Sequence, residues 1–198
     1  MTCSRRRAAC AAVLLAVAGL APAQTILIVT RESLDGQVAA RPPRSQEGFM
    51  SAMFDFGYVS FDTGPYEPQV DWEGRCYDEP LSIAAEGLAD CVVVARIDSR
   101  LLLPAGAPVA DPPMPEFVSE VSFLLLEVPG GRSLGGGELS LRSPALVKPK
   151  SADPTSAGLG SAGGAAAEPR SYEQALLRVG EALAAECLPL LAAQRSRP

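Results

Sequence analysis

Two short segments of unbroken apolar, β-branched character constrain this chain more than anything else in it. "TILIVT" (Thr25 to Thr30) and "CVVVARID" (Cys91 to Asp98) have apolar residues on both sides of any extended backbone, so each reads as a strand buried on both faces. A strand of that kind needs a layer above and a layer below, which points to helices packed on a sheet. The intervening residues supply them. In "EGFMSAMFDFGYVSFD" (Glu47 to Asp62), Phe49, Met50, Met53 and Phe54 are spaced for one helical face, and Gly57 stands where a left-handed residue ends a helix. Ser45 or a neighbour is placed to cap this helix after the two prolines of "RPPRSQ", and "YVSF" (Tyr58 to Phe61) then alternates as a strand. The aromatics of this segment are therefore predicted to be interior, with Phe49, Met53 and Phe54 locking the helix onto the sheet.

The remaining elements follow from the same periodicities. Pro80 suits the first turn of a short helix, "LSIAAEGLAD", ending near Gly87. "FVSEVSFLLLEV" (Phe117 to Val128) and "SLGGGELSLRS" (Ser133 to Ser143) flank the turn "PGGR" as a hairpin, its glycines predicting a bulged start to the second strand. A last helix, Ser171 to Gln194, has Ser171 as its expected cap, acids in its first turn, a broad leucine face and Pro189 as the expected point of bending or termination. The predicted fold is α/β (α+β): a single mixed sheet of about five strands covered by three helices, in the order β-α-β-α-β-β-β-α. The domain is assigned to residues 24–143 and 171–194. Residues 144–170, rich in Ala, Gly, Ser and Pro, cannot bury enough apolar surface to offset the entropy of ordering and are expected to form a disordered loop.

The start of the chain addresses it to export. Arg5, Arg6 and Arg7 precede an apolar run, Ala11 to Leu20, and "APA" before Gln24 reads as a cleavage site, so residues 1–23 are expected to be a signal peptide. Cys10 stands before the apolar run, whereas a lipid-modified cysteine follows one. No later run approaches the ~20 residues of a spanning helix. Without residues 1–23 the chain holds 14 Lys+Arg against 23 Asp+Glu, a net charge near −9, which repels phosphate backbones and argues against nucleic acid as a partner.

Chemistry is restricted. The chain has no histidine, which removes Ser-His-Asp and Cys-His catalysis and most zinc catalysis. The glycines of "GGRSLGGG" join two strands and open no helix, so they do not form a phosphate cradle. No cofactor is expected. The segment between the second strand and the second helix, Asp62 to Pro80, is proline-rich and acidic, and it carries Tyr66, Trp72 and Tyr77. These aromatics either form a contact surface or, for Trp72, fold back as a lid on the core. Asp55, Asp62, Asp71, Glu73, Asp78 and Glu79 could in principle supply the two carboxylates of a hydrolase or a calcium site, although their spacing is not that of an EF-hand. Cys76, Cys91 and Cys187 form an odd set, allowing one disulfide and a spare thiol or three free thiols. Cys91 and Cys187 lie in apolar segments, and Cys76 is the one exposed to oxidation.

In combination, "GLADCVVVARI", the strand pair "SEVSFLLLEVPGGRSLGGGELSLRS" and the closing "YEQALLRVGEALAAEC" resemble the periplasmic α/β domains of the curli-secretion and penicillin-binding-protein-activator lipoprotein superfamily. The segment "EGFMSAMFDFGYVSFD" is also similar to helix-strand segments of small uncharacterised exported spirochaete proteins. The chain departs from the superfamily pattern in lacking a lipobox and in its low-complexity insert. The resemblance implies a non-catalytic protein of the periplasm or outer envelope that binds an envelope protein or itself, and it implies no catalytic residues. The alternatives are a carboxylate-dependent hydrolase and a small-ligand or metal-ion binder working through the 62–80 loop.

Overall fold

The computed structural model describes residues 24–38, 43–64, 66–72, 76–103, 115–145 and 169–195. Nine elements follow in order: β1 (Thr25–Leu34), β2 (Gln37–Val38), α1 (Arg44–Asp55), β3 (Val59–Phe61), α2 (Asp78–Glu86), β4 (Cys91–Leu102), β5 (Glu116–Glu127), β6 (Ser133–Pro144) and α3 (Pro169–Arg195). The six strands form one mixed sheet in the order β2-β1-β4-β5-β6, with β3 also paired to β1. β1 runs parallel to β3 and β4, and Ile28 lies directly opposite Val93 in the β1–β4 ladder. The remaining pairs are antiparallel. This is the expected single mixed sheet with three helices, enlarged by the two-residue β2. The low-complexity stretch contributes Pro144 to the end of β6 and Pro169 and Arg170 to the start of α3. Its interior, like residues 1–23, lies outside the described residues.

One face of the sheet is closed by α1 and α3. Ile26, Ile28, Val93, Ile97 and Leu125 meet Phe49 and Met53 of α1 and Leu183, Cys187 and Leu191 of α3, all fully buried. Each such side chain contributes roughly 1.5–3 kcal/mol relative to exposure. Phe54 departs from expectation: it is 77% exposed, and Phe56 is 61% exposed. At 100° per residue Phe54 stands about 140° round the helix from Phe49, beyond a core-facing stripe, and the buried positions are Ser45, Gln46, Gly48, Phe49 and Met53 instead.

Small residues on that stripe let α1 and α3 approach backbone to backbone. A Cβ on Gly180 of α3 would fall 2.6 Å from Phe49 N and closer still to the Ser45 carbonyl oxygen, and a Cβ on Gly48 would fall 3.0 Å from Leu177 Cα and against its carbonyl oxygen.

Helix ends also differ from the expected ones. α1 starts at Arg44 behind Pro43, which offers no side-chain acceptor. Ser45 is not its cap. Glu32, 4% exposed on β1, reaches across instead and its Oε1 accepts the Ser45 N–H at 2.7 Å. α2 is followed by Leu88 in the left-handed region (φ 55°), while Gly87 is required for space, since a Cβ there would meet the Phe61 ring at 2.6 Å. Ser171 lies inside α3 rather than capping it, no acid occupies the first turn, and the helix continues through Pro189 to Arg195. The bulge expected in β6 is present, opposite Leu125 and Leu126.

Candidate functional site

The second face of the sheet is divided along its length. At one end Leu27, Val29, Val92, Val94 and Leu126 form a second apolar cluster, roofed by Leu81 and Ala84 of α2 and by Val70, Trp72 and Tyr77 of the preceding loop. Trp72 and Tyr77 are thus half-buried roof residues, and Trp72 takes the role of a lid. Tyr66 remains on the surface, 54% exposed, where its hydroxyl donates to a Glu79 oxygen. The second Glu79 oxygen accepts the Gln69 N–H at 2.6 Å. These two donors, Tyr66 first, hold the Glu79 carboxyl below its ordinary range, and the same contact pushes the Tyr66 phenol up. The three aromatics do not make one patch.

Between loop and sheet lies a cleft of about 670 Å³, floored by Thr30 and Arg31 and walled by Gln69, Trp72, Cys76 and Glu79. Asp71 and Asp78 also border it, so loop acids do come together there. Their arrangement does not suit a general acid, which must be held above the ordinary carboxylate range: Glu79 is shifted the other way. Asp62 is spent on a local turn, accepting the Gly64 N–H at 2.9 Å, and Asp55 is exposed on α1. Glu73 lies outside the described residues. No three His, Cys, Asp or Glu side chains among the described residues gather as a metal site.

The thiols separate by environment. Cys76 is exposed, paired through its backbone with Asp71, and its Sγ lies 3.4 Å from Asp78 Oδ2. Cys91 and Cys187 are buried and free. Burial pushes the Cys91 thiol up to about 11 and the Cys187 thiol up to about 12, with Asp90 and Glu186 respectively adding to the shift. In the native protein at neutral pH iodoacetamide is therefore expected to alkylate Cys76 within minutes and to leave Cys91 and Cys187 unmodified until denaturant is added. Alkylation of Cys187 in the native state, read by peptide mass, would contradict this burial.

The other end of the same face is not roofed by any described element. There Arg96 and Asp98 pair at 2.8 Å, Arg100 stands 4.0 Å from Glu120, and Arg142 stands 3.6 Å from Glu116. Asp98, Glu120, Ser122, Glu138 and Ser140 line a groove of about 430 Å³ across β4, β5 and β6. Beyond it lies the outer edge of β6, which has β5 on one side and no strand on the other among the described residues. Sequence reasoning located the hairpin but not this surface, because nothing in "ELSLR" says that its strand ends the sheet.

No protein-family model matches the sequence, and no curated protein matches it. Solved structures similar to this one include a Xanthomonas campestris protein of family DUF330, 14% identical with a TM-score of 0.47 over 88% of both chains. The LpoB C-terminal domain from Salmonella enterica is 11% identical with a TM-score of 0.40, over 66% of this chain and 90% of that one. Lipoprotein GNA1162 from Neisseria meningitidis is 13% identical with a TM-score of 0.34, over 62% and 84%. No helix among the described residues is long and apolar enough to cross a membrane.

Proposed function

We propose that this chain is an exported protein of the periplasm or outer envelope that binds another envelope protein or copies of itself, and catalyses no reaction. The observation that carries the reading is the unroofed end of the second sheet face. It is a field of both charges, set on three long paired strands and bounded by a strand edge that pairs with no other strand among the described residues. A surface of that kind suits recognition by another protein surface, where complementary charges set orientation and approach rate. The amino-terminal pattern and the acidic balance support export and argue against nucleic acid.

A photo-crosslinking residue placed at Arg96, Glu120 or Arg142 in intact cells is expected to trap a discrete protein adduct, while the same residue at Arg178 on the outer side of α3 traps none. Equal labelling from Arg178, or none from the sheet positions, would overturn the assignment of this face. A second reading, a small ligand in the loop cleft, is favoured by one feature: the exposed Arg31 borders a cleft of about 670 Å³ together with Trp72 and Glu79. Titration calorimetry with acetate and with calcium tests it, and the absence of heat from both removes it.

A further inference from the structure

The edge of β6 that no described strand covers carries a charge pattern complementary to its own reverse, acidic at Glu138 and basic at Arg142 on either side of Ser140. β5 and β6 pair without interruption from Phe123↔Gly137 to Glu116↔Pro144, and beyond them the Ala145 N–H donates to the Pro115 carbonyl at 2.7 Å. In an antiparallel ladder the backbone groups of successive residues turn alternately toward and away from the neighbour. Ala145 turns toward β5, so Ser143, Leu141 and Leu139 do as well. Glu138, Ser140 and Arg142 therefore turn their N–H and C=O groups to the open side.

We propose that β6 pairs antiparallel with β6 of a second copy of this chain, about a two-fold axis at Ser140, so that each Glu138 faces the other copy's Arg142. This deepens the assembly reading above and rests on it. The register follows from charge. An axis at Glu138 or at Arg142 sets like charges opposite each other, and an axis at Leu139 or Leu141 leaves both charges facing uncharged residues. Only the axis at Ser140 makes two cross-strand ion pairs, and at that axis the three outward residues of each strand are hydrogen-bond partners of the other three.

Three further observations fit the same register. Leu139 and Leu141, half-buried on the helix face and packed against the first core cluster, fall opposite each other across the axis and extend that core between the copies. Glu138 shares its groove with Asp98 and Glu120, so an arriving Arg142 meets an acidic site. Pro144, the next outward position, has no N–H to leave unpaired where the pairing stops. Arg142 now holds Glu116 at 3.6 Å with both side chains well exposed, a contact worth about 0–1 kcal/mol, so exchanging it costs little. The same charges discourage other strands from adding at this edge, which an open twelve-residue strand otherwise invites.

Sedimentation velocity on the purified protein, expressed from the full chain, tests the pairing. Glu138→Arg and Arg142→Glu are each expected to weaken the dimer at least about tenfold, since each sets two like-charge pairs across the axis. The doubly exchanged protein, Glu138→Arg with Arg142→Glu, is expected to recover it. A nitroxide on Ser140→Cys, in a Cys76→Ser background, then reports one short intermolecular distance. A dimer indifferent to all three charge variants overturns the β6 interface and leaves self-assembly standing by another surface. A monomer at every concentration that still traps an envelope protein in cells overturns self-pairing and keeps the binding reading, and a monomer that traps nothing overturns both.

Discussion

Replacing Gly180 with alanine is expected to cost more than about 2 kcal/mol, seen as a fall in Tm of roughly 5–10 °C. Alanine favours an isolated helix over glycine by up to about 1 kcal/mol, so an ordinary helix position would respond in the opposite direction. What decides the sign is the neighbour. The added Cβ would meet the Ser45 carbonyl and the Phe49 N of α1, and both are backbone atoms of a helix that cannot rotate out of the way as a side chain would. Gly48→Ala meets the Leu177 backbone from the other helix and should behave alike. Because either alanine forces the same separation of α1 and α3, the double variant is expected to cost clearly less than the sum of the two. An unchanged or raised Tm for Gly180→Ala would mean that the helices do not cross at these glycines.

Glu32 provides the second large effect, and here the acceptor and the charge can be separated. Its carboxylate satisfies the first turn of α1, taking the Ser45 N–H and interacting with the Arg44 N–H, from a site otherwise closed to water. Glu32→Ala leaves those donors buried without a partner, at a cost of about 1–3 kcal/mol. Glu32→Gln keeps a carbonyl oxygen in reach and should recover most of that loss. Burial raises the Glu32 pKa above its ordinary 4.5, although the Ser45 and Arg44 contacts pull against it. A carboxyl with a raised folded pKa binds its proton more tightly in the native state. Its contribution to stability is therefore greatest below pH 4.5 and declines as pH rises through the folded value. Glutamine does not titrate, so the Gln variant should gain on the wild type as pH rises across that window. Urea denaturation from pH 4 to pH 8 measures the difference, and a difference that stays flat with pH would show that Glu32 is not held in a dry site.

Strands were readable where one residue type dominated a run. Ile26 to Val29 and Cys91 to Ala95 could be buried only between two layers, and they became adjacent, parallel and central. Helix α1 was readable in existence but not in orientation: four apolar residues in six positions allowed Phe54 inside, and the choice was made by Gly48, whose lack of a side chain turns that side of the helix toward α3. The Asp35-Gly36 pair, both at positive φ, is the hairpin turn that makes β2, and an Asp-Gly pair is the sequence signal for such a turn. Glu32 as a cap was not legible, since it acts on a helix thirteen residues further along. The loop cleft was half legible. Its aromatic and acidic wall stands in one segment, but its floor, Thr30 and Arg31, belongs to a strand about forty residues earlier.

The element that closes the first apolar face, α3, comes last in chain order, and it reaches back to α1, β5 and β6 at once. A nascent chain emerging amino-terminus first would hold Ile28, Val93 and Leu125 on an apolar surface covered only by α1 until α3 arrived. That face is therefore expected to close only when α3 docks, and a chain cut short before residue 169 should bind a dye that reports exposed apolar surface.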